Sequence, residues 1–132
     1  MTRRVLIVDD EPGTIAVLRD FVRYFEHGCV YEITPAQSAD DAFVILREGS
    51  RFDLILLDVH MAMPYWRDGL DLLRQIRGLG MNVPVIMMCP MPAKAEMDAA
   101  QNAGTLAWLI KPFKLSELEH LVALALGFSP RD

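Results

Sequence analysis

The amino-acid sequence predicts an α/β fold, a doubly wound five-stranded parallel sheet with helices on both faces. Three observations carry this. Five short apolar runs punctuate the chain, at Val5–Val8, Val30–Thr34, Leu54–Leu57, Val83–Met88 and Leu106–Ile110. Most are continuous rather than alternating, the pattern of strands buried on both faces. Segments with helical spacing separate them, and consecutive strands sit roughly 25 residues apart, the length of a βαβ unit.

Val30–Thr34 is the exception among the strands. Its polar Glu32 and Thr34 interleave with Val30, Tyr31 and Ile33, which suits a sheet edge. The first helix shows one apolar stripe, Ile15, Leu18, Val22 and Phe25. Ala39, Ala42, Ile45 and Leu46 mark the second, where Ser38 and Asp41 resemble a capping box with Asp in place of Glu or Gln. Leu72, Leu73, Ile76 and Leu79 mark the third, with Gly78 or Gly80 as its stop. Ala93, Met97, Ala100 and Gly104 outline a weaker fourth helix. Leu118, Leu121, Val122 and Ala125 form the fifth, with Ser116 as the expected N-cap and Gly127 as the stop.

Composition narrows the function. The 132 residues fit one domain, and a hydrophobic content of 52% supplies a core. Thirteen Lys plus Arg against 18 Asp plus Glu give a net charge of −5, which argues against nucleic acid or a polybasic membrane contact as partner. No apolar run approaches the roughly 20 residues of a membrane-spanning helix, and the apolar stretch after Met1-Thr2-Arg3-Arg4 is too short for a signal peptide. Two cysteines, Cys29 and Cys89, are too few for a disulfide framework, so a cytoplasmic location with reduced thiols is expected.

In open α/β sheets, ligands bind outside the carboxyl ends of the strands. The residues there are Asp9, Asp10 and Glu11 after the first strand, Asp58 after the third, Cys89 after the fourth, and Lys111-Pro112 after the fifth. Three carboxylates from neighbouring strands repel one another unless a cation joins them, and a hard cation such as Mg²⁺ takes oxygen ligands. With a lysine opposite, the set suits a phosphoryl group, one carboxylate serving as nucleophile. Other phosphate sites fit poorly. D-D-E-P-G stands where a dinucleotide fold needs G-x-G-x-x-G, and no P-loop or G-x-S-x-G elbow occurs.

VLIVDDEP (Val5–Pro12), LILLDVHM (Leu54–Met61), PVIMMC (Pro84–Cys89) and AGTLAWLIKPF (Ala103–Phe113) together resemble the successive signatures of the receiver domain of bacterial two-component response regulators. The resemblance covers nearly the whole chain, residues 1–127, and leaves 128–132 as a C-terminal tail or the start of a linker. It implies a flavodoxin-like sheet with strand order 2-1-3-4-5. It puts the phosphoacceptor at Asp58 and the metal ligands at Asp9, Asp10, Asp58 and the backbone carbonyl of His60. The ion is then Mg²⁺, with Mn²⁺ as a substitute. Lys111 is the residue expected to contact the phosphoryl oxygens, Lys111-Pro112 the cis peptide, and Cys89 and Trp108 the switch pair. The implied phosphodonor is a histidine kinase or a His phosphotransfer protein. A homodimer through the face of the fourth helix, fifth strand and fifth helix is a further implied partner. The role is signalling rather than turnover of a free substrate.

Three departures from the family pattern bear on that expectation. Cys89 replaces the usual Ser or Thr, and a thiol is a weaker hydrogen-bond donor. Pro90 replaces a small residue and fixes its own φ, which would narrow the pocket and restrain the loop. Asp58 is followed by VHMAMPYWRDG, about three residues longer than the family pattern, with Tyr65 and Trp66 in the longer loop as a cover or partner contact. Two rival readings follow. One is a receiver-like docking or dimerisation module with an impaired phospho-switch. The other is an aspartyl phosphohydrolase, which would want an acid where His60 stands.

Overall fold

A computed structural model describes residues 1–58, 67–90 and 94–128 of the protein. The chain alternates β1 (Thr2–Val8), α1 (Pro12–Tyr24), β2 (Val30–Ala36), α2 (Ala39–Arg47), β3 (Leu54–Asp58), α3 (Arg67–Gly78), β4 (Val85–Cys89), α4 (Lys94–Asn102), β5 (Ala107–Ile110) and α5 (Leu115–Leu126). The five strands form one parallel sheet in the order β2-β1-β3-β4-β5, the doubly wound topology the sequence predicts.

The sheet is covered on both faces. Leu6, Val8, Ile55, Leu57, Val85 and Met87 point into one apolar cluster with Ala42 and Leu46 of α2, Leu73 and Ile76 of α3, and Ala100 of α4. Val5, Ile7, Leu54, Leu56, Ile86 and Met88 point into the other, with Ile15, Leu18 and Val22 of α1 and Leu118 and Val122 of α5. Alternate residues of one strand therefore serve opposite cores, which is why the central runs are apolar without a break.

The edges depart from that pattern. On β2, Tyr31 and Ala36 are buried while Val30 is exposed, as an edge strand requires. β5 was expected to be buried on both faces, but it is the other edge. Leu109 lies in the α1/α5 core, whereas Leu106 and Ile110 remain nearly half exposed. Strand ends also differ from the apolar runs. β1 begins at Thr2, because Arg3 and Arg4 extend its pairing to Tyr31 and Glu32 of β2. Arg4 is held further by the Asp53 carboxylate, which accepts its backbone N–H at 2.8 Å. β2 continues through Pro35, whose missing N–H is tolerated at an edge. β4 starts after Pro84, whose carbonyl accepts the N–H of Ile55 at 3.0 Å.

Helix ends follow capping chemistry. The Ser38 hydroxyl accepts the Asp41 N–H at 3.0 Å and starts α2. Gly127 closes α5 in the left-handed conformation, φ 76°. Ser116 is not the N-cap of α5. The helix starts two residues earlier, with Lys114 as N-cap and its backbone N–H donated to the Glu117 carboxylate at 3.3 Å. No helix among the described residues is long and apolar enough to cross a membrane.

Arg77, in the last turn of α3, fastens two loops. Its guanidinium donates to the carbonyls of Met81 at 3.0 Å, Val83 at 2.8 Å and Gly104 at 2.7 Å. Gly104 has φ 95°, and a Cβ there would stand 3.0 Å from Arg77 Nε. The clamp joins the α3–β4 loop to the turn that launches β5. Arg77→Met should keep the aliphatic stem and lose about 2–3 kcal/mol of unfolding free energy, since hydrogen bonds from a charged donor outweigh neutral ones. Gly104→Ala should destabilise as well, by less in the Arg77→Met background than alone. Urea unfolding of the four proteins measures this coupling, and strict additivity would contradict it.

Candidate functional site: an acidic pocket at the sheet's switch point

The topology opens a crevice where the chain winds outward in both directions, from β1 to β2 on one side and to β3 on the other. β1 and β3 run in register, with Val8 beside Leu57. The next residue of each strand, Asp9 and Asp58, is therefore brought to the same rim. Asp9 is 1% exposed and Asp58 5% exposed, the two charged or polar residues buried in the described structure. Asp9 is anchored twice. Its backbone N–H donates to the Ala36 carbonyl at 3.0 Å, and its Oδ1 accepts the Glu11 N–H at 3.0 Å. Pro12 then opens α1 at once, so the turn carrying the acids is short.

Asp10 is exposed, yet one oxygen from each of Asp9, Asp10 and Asp58 lies within 4.8 Å of the others. Lys111 reaches this group from the far side. Its Nζ is 3.4 Å from Asp9 Oδ2 and 3.6 Å from Asp58 Oδ2. The lysine follows β5, its N–H donates to the Cys89 carbonyl at 2.9 Å, and the Lys111–Pro112 peptide is cis. Among the described residues, three carboxylates face one ammonium, an excess of negative charge. Burial raises the Asp9 carboxyl above its ordinary value, the Asp58 charge adds to that, and the Glu11 N–H and Lys111 oppose it. A hard divalent cation with oxygen ligands, Mg²⁺ above all, fits this donor set and would relieve the repulsion.

The other expected site residues fall as follows. Cys89 ends β4, fully buried in the core beneath α3 and α4. Trp108 of β5 packs half-buried against the same core, and its buried indole N–H has no acceptor among the described residues. Pro90 is exposed just beyond Cys89. His60, Tyr65 and Trp66 lie outside the described residues. A feature missed by the sequence reading is an open cleft of about 630 Å³ beside the acids, lined by Glu11, Val17, Phe21, Lys111, Pro112 and Phe113 among others. Its signal was Val17, an apolar residue off the buried stripe of α1 and 50% exposed.

The raised Asp9 pKa has a defined consequence. The folded chain binds that proton more tightly than the unfolded chain, whose value is 3.8. Asp9 thus favours folding below 3.8 and loses that contribution as pH rises through its folded value. Without divalent cations, the melting temperature of the wild type relative to Asp9→Asn should climb as pH is lowered from neutral toward 3.8. A pH-independent difference would contradict the electrostatic account.

Comparison with known proteins agrees with this geometry. The model of the response regulator receiver domain matches residues 5–123. The two-component response regulator ARR2 of Arabidopsis thaliana is 34% identical over 119 residues, covering 89% of this chain and 17% of its own length. The transcriptional regulatory protein ZraR of Salmonella typhimurium is 33% identical over 123 residues, covering 93% of this chain and 26% of its own length. The chain thus spans well under a third of these relatives. Among solved structures, a putative response regulator from Chloroflexus aurantiacus aligns with a TM-score of 0.80 at 26% identity, covering 96% of this chain and 99% of that one. A CheY-like receiver domain protein from Methanospirillum hungatei shares the fold with a TM-score of 0.84 at 24% identity, covering 96% of this chain and 95% of that one. An acidic pocket at the switch point, a lysine spanning it and a family match over most of the sequence lead to one assignment: the chain belongs to the receiver domain family of two-component response regulators.

Proposed function

We propose that this receiver domain takes a phosphoryl group onto Asp58 from the phosphohistidine of a histidine kinase or a His phosphotransfer protein. The observation that carries the proposal is the pair of buried carboxylates, Asp9 and Asp58, bridged by one lysine Nζ at 3.4 and 3.6 Å. Asp58 Oδ attacks phosphorus in line, the P–N bond breaks, and its electron pair leaves with the donor imidazole. Lys111 donates to an oxygen of the transferring group. Asp9, Asp10 and Asp58, with the His60 carbonyl, would hold Mg²⁺ or its substitute Mn²⁺. When bound, that ion neutralises charge on the phosphoryl oxygens. Water later attacks the acyl phosphate, releasing phosphate and restoring Asp58, so the domain signals rather than turning over a free substrate. The cleft along Val17, Phe21 and Phe113 lies beside the acceptor and suits the donor protein's approach. A cytoplasmic setting fits this chemistry.

Phosphorylation would then bias a two-state equilibrium. Cys89 and Trp108 occupy adjacent strands on one face, beneath α4. The indole N–H has no hydrogen bond to break among the described residues if the ring moves. Leu106 just before β5, Ile110 of β5 and Leu124 of α5 are exposed, and they support self-association through the α4–β5–α5 face. A second reading, a docking module with an impaired switch, is favoured by one observation: Cys89 brings a weak thiol donor where a hydroxyl is usual, and it is wholly buried among apolar residues.

Incubation with Mg²⁺ and acetyl phosphate should add one phosphoryl group to the wild type by intact mass. Asp58→Ala should gain none, and chelation of the ion should abolish the adduct. Equal labelling of both proteins, or of neither, would remove Asp58 as acceptor. Beryllofluoride should quench or shift Trp108 fluorescence and change the association state. Binding of the mimic with neither change would move the assignment to the docking module.

A further inference from the structure

We propose that His27 is the centre of a pH-responsive latch that holds the end of α5 against β2 and the α1–β2 loop. The ring is almost enclosed, its side chain 7% exposed, at the opposite end of β2 from Ala36 and the acidic pocket. It packs between Phe25 and Phe128, each with its centroid 5.5 Å away, and meets Tyr31 edge-on at 6.0 Å. Nδ1 is 2.6 Å from the Tyr31 hydroxyl. Nε2 points toward the Glu119 carboxylate of α5 at 3.9 Å. Among the described residues, the other ionisable groups near it are Cys29 and Glu26 of the α1–β2 loop and Arg3 of β1, whose guanidinium sits 5.3 Å from the Phe128 ring.

The chemistry follows from the two ring nitrogens. In neutral His27 the Tyr31 hydroxyl donates to Nδ1, and the approach of Nε2–H to Glu119 is dipolar. Protonation makes both nitrogens donors. Nδ1–H then donates to the Tyr31 oxygen, and the cation faces the Glu119 carboxylate, linking α5 to the loop by charge. Tyr31 stays a neutral hydroxyl throughout, because burial, then its hydrogen bond with Cys29, raises its pKa. Its own proton turns toward the Cys29 sulfur. The Arg3 charge opposes protonation of His27 and the Glu119 charge favours it. Phe128, which caps the ring, is tied back by its N–H to the Ala123 carbonyl at 2.9 Å just past Gly127. The pair therefore sets how firmly the chain is held where it leaves α5. The charged pair contributes where the imidazole is protonated and fades as it loses its proton.

Glu119→Gln removes the charge and keeps the shape. The wild type should melt several degrees above Glu119→Gln at about pH 5.5, and the two should coincide at about pH 7.5. In a His27→Gln background the Glu119→Gln change should have no pH-dependent effect. Amide exchange of the last turn of α5 should slow in the wild type at the lower pH and not in either variant. A melting difference equal at both pH values, or one that persists without His27, would overturn the latch. Should His27→Gln fail to fold, the NMR titration of His27 decides. Its midpoint should fall in Glu119→Gln, and an unchanged midpoint would overturn the proposal.

Discussion

Asp9 and Asp58 are buried side by side although both are acids, and the repulsion between them constrains much of the surrounding structure. A lone buried carboxylate normally takes up a proton, and two in one crevice resist joint ionisation more strongly. The fold supplies what keeps such a pair in place. The Ala36 carbonyl and the Glu11 N–H fix the Asp9 backbone and one of its oxygens. Lys111, delivered from the outermost strand, lies against the other oxygen and against Asp58. The acids and their supports lie on four segments, at Asp9–Glu11, Ala36, Asp58 and Lys111, so the pocket exists only when the sheet is complete.

The sheet is built to place those groups within tight limits. β1, β3 and β4 are apolar on both sides, so a slip of register along any of them would expose a row of aliphatic side chains and move an acid. Packing therefore fixes the acids more firmly than hydrogen bonding alone. The two edge strands are less constrained. β2 carries polar residues and a proline, and β5 keeps Ile110 partly in solvent. Trp108 of β5 packs against a core shared with Cys89 and α4.

Two fastenings lie away from the pocket. Arg77 ties the end of α3 to the turn before β5, so the edge strand is held at its start while its far end carries Lys111. His27 lies between Tyr31 of β2, Glu119 of α5 and Phe128 just past that helix. One involves backbone carbonyls and a permanent charge, and does not titrate near neutrality. The other depends on a histidine ring, whose charge is not permanent. The two helix layers, with α3 on one face of the sheet and α5 on the other, are thus held by contacts of different chemistry.

The sequence alone determined the alternation of strands and helices, the parallel sheet, and the gathering of Asp9, Asp10, Asp58 and Lys111 at one rim. Those features are written in local pattern. Unbroken apolar runs, helical stripes and the residues just beyond each strand depend on neighbours in the chain. What only the tertiary structure decided is of another kind. It set the strand ends, where Arg3 and Arg4 pair despite their charge, and the start of α5 at Lys114 rather than at a more usual cap such as Ser116. It set the partial exposure of β5 and the cleft beside Val17. It also made the Arg77 clamp and the His27 cluster. Arg77 and Gly104, or His27 and Glu119, have no spacing that marks them as partners. Their contact depends on how layers of helices meet over a finished sheet, and no single segment of the chain contains that information.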